Sequence, residues 1–240
     1  MGHTVSAQPT PSAARLRIIS SMATAPLLRA LVSAYEQRTA TTIELLSIGG
    51  VEAARRVQDG EPWDVVVLAA DAIERLLAGK FVQPGSRADL VCSSMAVAVR
   101  AGAHHPDIRS EVALRAAVLE APSIAYSTGP SGTALLALLT RWGIDAQVHA
   151  RLVQAKHGIP VAALIARGEA ALGFQQLSEL RQAPGIEVLG TLPDSCAVVT
   201  IFSGAIGAAA AQPRAAQALL AHWSSSETAE LKRQFGLPPP

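Results

Sequence analysis

Residues 125–133, AYSTGPSGT, hold the densest group of side chains that could bind a ligand. They follow a predicted strand and lead into a predicted helix. Backbone N–H groups at such a turn bind anions, helped by the positive end of the helix dipole. The same residue types are also usual in turns and N-caps, so an anion site here requires that the strand end faces a cleft. The expected contacts for a carboxylate or phosphate are Tyr126, Ser127, Thr128, Ser131, Gly132 and Thr133.

Polar groups at two other strand ends could complete such a site. Gly49 and Gly50 form a strand-to-helix turn whose amides could face a ligand, unless a positive φ alone requires the glycines. Gln175 and Gln176 follow a later predicted strand, and with Glu179 they could hydrogen-bond an organic ligand with several oxygens. A solvated helix start explains the same three side chains, so both interpretations stay open.

Two residues near these strand ends could carry a proton. His157 precedes a predicted helix and its imidazole titrates near neutral pH, while Tyr126 offers a phenolic O–H. A structural role is the commoner one for a lone histidine. The six histidines show no metal-ligand spacing, and the usual nucleotide-binding and nucleophile motifs are missing, so we expect no metal site and no cofactor.

Composition narrows the class of protein. The 240 residues are 50% hydrophobic and 16% charged with a net charge of +1, which indicates a compact chain without the basic surface of a nucleic-acid-binding protein. We expect a monomer. Cys92 and Cys196 could form a disulfide if the protein is exported, but two buried free thiols are the expected state. The sequence begins without an apolar leader, which predicts a cytoplasmic protein, or a periplasmic one if a leader has been removed.

The strand ends discussed above belong to two blocks of alternating strands and helices. The first block reads β-α-β-α-β-α, typical of a parallel sheet covered by helices on both faces. The second block, which includes a strand predicted at 148–153, follows a long strand-like segment. We predict two lobes, with the ligand in the cleft beyond the carboxyl ends of the strands. The expected division is a disordered tail at 1–14, a first lobe at 15–90 and 203–240, a second lobe at 91–202, and hinge strands at 89–100 and 195–202.

Four motifs, in this order, resemble the molybdate-binding proteins of ABC importers. They are GGVEAARRVQDGEPWD at 49–64, PSG at 130–132, RGEA at 167–170 and SSSETAELKRQFG at 224–236. The resemblance runs over nearly the whole chain and implies the type II periplasmic-binding-protein fold. This α/β fold has two lobes, each with a mixed, mostly parallel sheet flanked by helices, joined by two crossover hinge strands.

The resemblance also implies where an oxyanion would bind. In that family two serine hydroxyls, two backbone amides and one tyrosine hydroxyl hold it. The serine positions fall near Ala23 and on Gly50, the amide positions on Ser131 and Gly158, and the tyrosine position on Gln176. Three hydroxyls flank Ala23 and could replace the first serine: Ser20, Ser21 and Thr24.

These departures bear on the ligand. Loss of the family's hydroxyls argues against molybdate, while an amide at Gln176 favours an organic acid, because amides suit planar carboxylates. We expect a solute-binding protein that captures a small oxyanion or organic carboxylate in the cleft and closes by hinge motion. The implied partner is the membrane component of an ABC importer. The alternative is an enzyme similar to aconitate isomerase, which resembles the same family and shifts a proton on a tricarboxylate.

Overall fold

The computed structural model describes residues 14–156 and 158–240. The predicted N-terminal tail therefore lies outside the described residues, except for Ala14. His157, one of the two candidate proton carriers, also lies outside them and stays a prediction.

The described residues form nine strands and ten α-helices in alternating order. The strands are β1 (Arg15–Ser21), β2 (Thr42–Ile48), β3 (Val65–Ala69), β4 (Ala88–Arg100), β5 (Ile124–Tyr126), β6 (Leu152–Gln154), β7 (Leu172–Gln176), β8 (Ile186–Thr191) and β9 (Val199–Ile206). The helices are α1 (Ala25–Arg38), α2 (Gly50–Gln58), α3 (Ala70–Ala78), α4 (Glu111–Glu120), α5 (Pro130–Arg141), α6 (Asp145–Val148), α7 (Val161–Ala166), α8 (Leu177–Leu180), α9 (Pro213–Ser224) and α10 (Ala229–Gln234). Within the part of the chain described, no helix is both long and apolar enough to cross a membrane.

The first lobe is built around the parallel strands β2-β1-β3, with β9 antiparallel beside β3. Every residue of β3 (VVVLA) is buried, because helices cover both faces of the sheet. On one face, α1 and α9 pack with the fully buried Trp223. On the other face, α2 and α3 contribute Val57, Ile73 and Leu76. This arrangement places the first turns of α2 and α3 directly after the carboxyl ends of β2 and β3.

The second lobe repeats the plan with the parallel strands β6-β5-β7 and two antiparallel pairs, β4 with β7 and β4 with β8. One face packs against α4 and α5, and the other against α7 and α8. The short strand β5 ends at Tyr126, so the 127–133 turn leads from it straight into α5.

The strand β4 joins the two lobes. Its first half pairs with β9 and its second half pairs with β7 and β8, so all strands belong to one continuous mixed sheet. The predicted two-lobed α/β architecture with long strands passing between the lobes is confirmed. The predicted division of the chain near residues 90 and 202 stays a prediction, since β4 and β9 each run through it without a break.

Two local expectations were wrong, and one strand was missed. The strand predicted at 148–153 begins only at Leu152, after the helix α6 and a 3₁₀ turn at His149–Arg151. The strand β8 was not predicted. The second crossover strand was predicted to end at 202 but continues to Ile206. Gly204 lies inside β9, where a Cβ would clash with Leu220 of α9, so the close packing of this helix requires a glycine there.

Candidate functional site

A cleft of about 920 Å³ lies between the lobes, and both lobes contribute to its walls. The first lobe supplies the ends of β1 and β3 and the starts of α2 and α3. The second lobe supplies the 127–133 turn, residues around Gly158 and the end of β7, and β9 lines the cleft as well. The carboxyl ends of the parallel strands therefore open into this cleft, as the fold class requires.

Three helices point their N-termini into the cleft. Gly49 and Gly50 line it at the start of α2, Ala70 at the start of α3, and Ser131 at the start of α5. The first N–H groups of a helix have no acceptor within the helix. In the described chain, the backbone N–H groups of Gly50 and Ser131 donate to no backbone carbonyl group. These dipole ends and open donors make the cleft suited to an anion.

Hydroxyl groups hold the 127–133 turn in shape. Ser127 and Ser131 share a hydrogen bond of 3.0 Å between their Oγ atoms, and the N–H of Gly129 donates to Ser127 Oγ at 3.2 Å. Of the residues predicted here, Ser127, Thr128, Ser131 and Thr133 line the cleft. Thr133 Oγ1 also donates to the carbonyl oxygen of Gly129 at 3.5 Å.

Gly132 and Tyr126 are corrections to the predicted contacts, since neither lines the cleft. A Cβ on Gly132 would overlap the carbonyl oxygen of Ser127, so this glycine lets α5 begin tight against the turn. Tyr126 packs on the hydrophobic core of the second lobe. A role of its phenol as a proton carrier stays a prediction.

Only one of the three hydroxyls around Ala23 is available from the first lobe. Ser20 Oγ is paired at 2.8 Å with Ser47 Oγ on the neighbouring strand, and Thr24 Oγ1 donates to the carbonyl oxygen of Ser21 at 3.2 Å. Neither residue lines the cleft. Ser21 does line it, and its buried hydroxyl has no partner in the described chain. Ser21 therefore replaces Ser20 and Thr24 as the candidate.

Gln176 brings a second open polar atom into the cleft from the opposite lobe. Its Nε2 donates to Thr200 Oγ1 at 2.7 Å, while its buried Oε1 has no partner within residues 14–156 and 158–240. The Thr200 hydroxyl can donate as well as accept, so the amide can present either its oxygen or its NH₂ group to a ligand. An unpaired buried polar atom is costly, and contact with a ligand would relieve this cost.

The sequence placed Glu179 beside Gln175 and Gln176 as a possible hydrogen-bonding group for a ligand, but it did not show the buried setting of this carboxyl group. Glu179 lines the cleft from α8, four residues after Gln175 at the end of β7, and Gln175 Nε2 donates to its Oε1 at 2.8 Å. Burial raises the pKa of Glu179 to about 7, outweighing the opposite effect of the hydrogen bond from Gln175. The signal available in the sequence was the i,i+4 spacing of an amide and a carboxyl group after a strand. The burial that perturbs the carboxyl group depends on the packing of distant segments.

The positive side chains along the cleft are mostly paired with acids. Arg55 binds Glu52 at 2.7 Å, and Arg75 binds Asp71 at 2.8 Å. Lys156 also lines the cleft and is exposed, and Gly158 lies close by with a φ of +78°.

The described residues contain neither a group of metal ligands nor a disulfide bond. No group of three or more potential metal ligands occurs there. Cys92 and Cys196 are both free thiols, and only Cys196 is fully buried.

Comparison with known proteins places this geometry in context. A family model described as bacterial extracellular solute-binding protein matches residues 16–237. Aconitate isomerase from a Pseudomonas species is 37% identical over 243 residues, which cover 98% of this chain and 90% of that protein.

Solved structures agree on the fold at lower identity. The periplasmic molybdate-binding protein of Azotobacter vinelandii superposes with a TM-score of 0.78 at 21% identity, covering 94% of this chain and 99% of its own. The sulfate-binding protein of Mycobacterium tuberculosis gives a TM-score of 0.77 at 18% identity, and the match covers 94% of this chain and 87% of that protein. The resemblance to molybdate-binding proteins thus holds for the fold, and the chain belongs to the family of bacterial extracellular solute-binding proteins, with the type II periplasmic-binding-protein fold.

Proposed function

We propose that the cleft binds a small organic acid with several carboxylates and that the protein isomerises it by moving a proton between carbons. The observation that carries the binding part is the pair of buried, unpartnered polar atoms, Ser21 Oγ and Gln176 Oε1. One lies on each wall of a cleft whose volume is typical of sites for organic ligands. A ligand with carboxylates at both ends could satisfy both walls.

The ligand class follows from the donors that remain. Backbone N–H groups at Gly50 and Ser131 can bind any anion, because they do not select between planar and tetrahedral groups. The positions at which the molybdate-binding family is expected to place further hydroxyls hold Ala23, Gly50 and Gln176. A planar amide at Gln176 matches a planar carboxylate better than a tetrahedral oxyanion.

Two observations favour an enzyme. The 37% identity to aconitate isomerase extends over 98% of this chain, so no separate domain accounts for the similarity. In addition, Glu179 gives the cleft a carboxyl group that exchanges its proton near neutral pH. Together they support the isomerisation of an unsaturated tricarboxylate of the aconitate type.

Capture without chemistry is the second candidate. The family match and the superposition on periplasmic binding proteins favour a protein that delivers an oxyanion or organic carboxylate to the membrane component of an ABC importer. Such a role also favours a periplasmic location.

A ligand panel separates these candidates. Thermal shifts are measured with molybdate, tungstate, sulfate, citrate, cis-aconitate and trans-aconitate, and NMR follows interconversion of the two aconitates. Our proposal expects stabilisation by the tricarboxylates and interconversion of the isomers. Stabilisation by molybdate alone would contradict the ligand class, and binding of aconitate without interconversion would leave capture as the function.

A matched pair of variants tests the location of the site. Ser131→Pro removes the open N–H at the start of α5, whereas Ser131→Ala keeps it and removes only the hydroxyl. We expect citrate binding to be lost in the first variant and largely kept in the second. If a folded Ser131→Pro protein binds citrate as tightly as the unchanged protein, the site lies elsewhere.

A further inference from the structure

Glu179 stands apart from the other groups that line the cleft, because no charged side chain of the described residues forms an ion pair with it. Burial and the hydrogen bond from Gln175 are the causes of its perturbed pKa, with no charged side chain among them. The elements packed against α8 are β4, β7, β8, α7 and the turn at Met22–Thr24. Their titratable residues are Asp89, Cys92, Arg100 and Glu187. A carboxyl group with no ion pair at the wall of a binding cleft calls for a role beyond structure.

We propose that Glu179 is the catalytic residue that takes the proton from the substrate and returns it, with Gln175 as its positioning residue. This inference rests on the isomerisation proposed above. It assigns the proton transfer to a side chain that reaches the cleft, whereas Tyr126 packs into the core of the second lobe.

A chain of two hydrogen bonds fixes the carboxyl group. The backbone N–H of Val161 donates to Gln175 Oε1 at 3.0 Å, which turns the Gln175 amide so that Nε2 points at Glu179. Gln175 is only 3% exposed, so its side chain has little freedom to turn away. Glu179 Oε1 is engaged by this amide, and Oε2 is left for a proton.

Glu179 lies at the boundary between the cleft and the protein interior, and this partial burial raises its pKa. Its side chain is partly accessible from the cleft, although protein surrounds most of it. With a pKa of about 7, the group is present both as acid and as base near neutral pH. General acid–base catalysis works best under this condition, since the same group must accept a proton and then release it.

The reaction balances without a cofactor. The Glu179 carboxylate takes a proton from the CH₂ group next to the substrate's double bond, and the C–H electron pair becomes part of a new C=C bond. The former π pair then takes the proton back from Glu179 at the far carbon, so the double bond moves by one position. After the proton has been removed and before it is returned, negative charge spreads onto the carboxylates next to the reacting carbons. The fixed N–H groups at Gly50 and Ser131 stabilise this charge.

Glu179→Gln keeps the shape of the side chain and removes its ability to exchange a proton. Glu120→Gln is the matched control, since Glu120 is exposed at the end of α4, away from the cleft. Interconversion of cis- and trans-aconitate and deuterium uptake from D₂O are followed by NMR, and citrate binding is followed by calorimetry. We expect Glu179→Gln to bind citrate but to lose about 10²- to 10⁴-fold in rate, with Glu120→Gln unchanged.

The pH profile of the unchanged protein gives a second readout. Because the base form of Glu179 starts the reaction, kcat/KM should rise with pH through about 7 and then level off. If the unchanged protein interconverts the aconitates and Glu179→Gln retains the rate, the catalytic role of Glu179 is refuted while the isomerase function stands. If a substitution of His157, and not of Glu179, abolishes deuterium uptake, the assignment is equally overturned. If the unchanged protein neither binds nor converts them, the proposed function itself fails.

Discussion

Replacing Glu179 with glutamine should make the folded protein more stable at alkaline pH. The pKa of Glu179 is raised from its ordinary value of 4.5 to about 7, so the folded state favours the protonated form. Stability from this preference is fully present below about pH 4.5 and is lost as the pH rises through 7. The difference between the two pKa values corresponds to at most about 3 kcal/mol above pH 7. Glutamine remains neutral at every pH and avoids this loss.

Unfolding experiments across pH test this expectation. The free energy of unfolding is measured by urea titration from pH 5 to pH 9 for the unchanged protein, Glu179→Gln and Glu120→Gln. We expect the Glu179→Gln protein to gain up to about 3 kcal/mol at pH 8.5, or roughly 6–12 °C in Tm for a chain of this length. At pH 5, which is only half a unit above the ordinary pKa of Glu179, the gain should fall below about 1 kcal/mol. The Glu120→Gln difference should be small and independent of pH.

Two results would refute this reasoning. A Glu179→Gln protein that is less stable at pH 8.5 would mean that the charged carboxylate makes favourable contacts and is not penalised by burial. An equal change at all pH values would mean that glutamine alters the packing and that the pKa of Glu179 is close to its ordinary value. In either case the group would be poorly suited to accept and release protons near pH 7.

Three further substitutions probe the cleft and the residues that support it. Ser21→Ala should weaken citrate binding by about 10-fold or more in calorimetry, with little change in Tm, because its hydroxyl has no partner in the described protein. Gly132→Ala should cost about 1–3 kcal/mol in urea unfolding and weaken citrate binding, because its Cβ would collide with the Ser127 carbonyl oxygen. Gln175→Leu should shift the rise of kcat/KM to higher pH, because the Gln175 hydrogen bond lowers the pKa of Glu179. A profile that does not move would exclude Gln175 as a positioning residue.

The fold could be predicted because its determinants are local. The alternation of strands and helices, and the continuous apolar run at Val65–Ala69, depend only on neighbouring residues. The strand β8 and the extension of β9 to Ile206 were missed, since glycines interrupt both segments. Gly204 pairs with Val67 and Ala88 inside β9, and α9 packs too closely against it for a Cβ, which no local pattern reveals.

The candidate site, which stays a prediction, could be located from the sequence as a region but not residue by residue. Turns after strands indicated where the anion donors lie, because strand ends and helix starts share the cleft edge in this fold. The choice of Ser21 over Ser20 depends on which face of β1 each side chain occupies, and Ser20 is drawn to Ser47 across the neighbouring strand. Glu179 could be recognised only once its burial was known.

The way the cleft holds negative charge connects binding to the proposed reaction. Arg55 and Arg75, which line it, are already paired with acids, so we expect a bound anion to contact mainly helix N-termini and backbone N–H groups. These dipoles are fixed by the fold, and they stabilise charge that moves within a bound ligand without having to reorient. A cleft that binds a carboxylate in this way already stabilises the charge of a proton-transfer intermediate. One unpaired carboxyl group, supplied here by Glu179, is then the remaining requirement for turning capture into isomerisation.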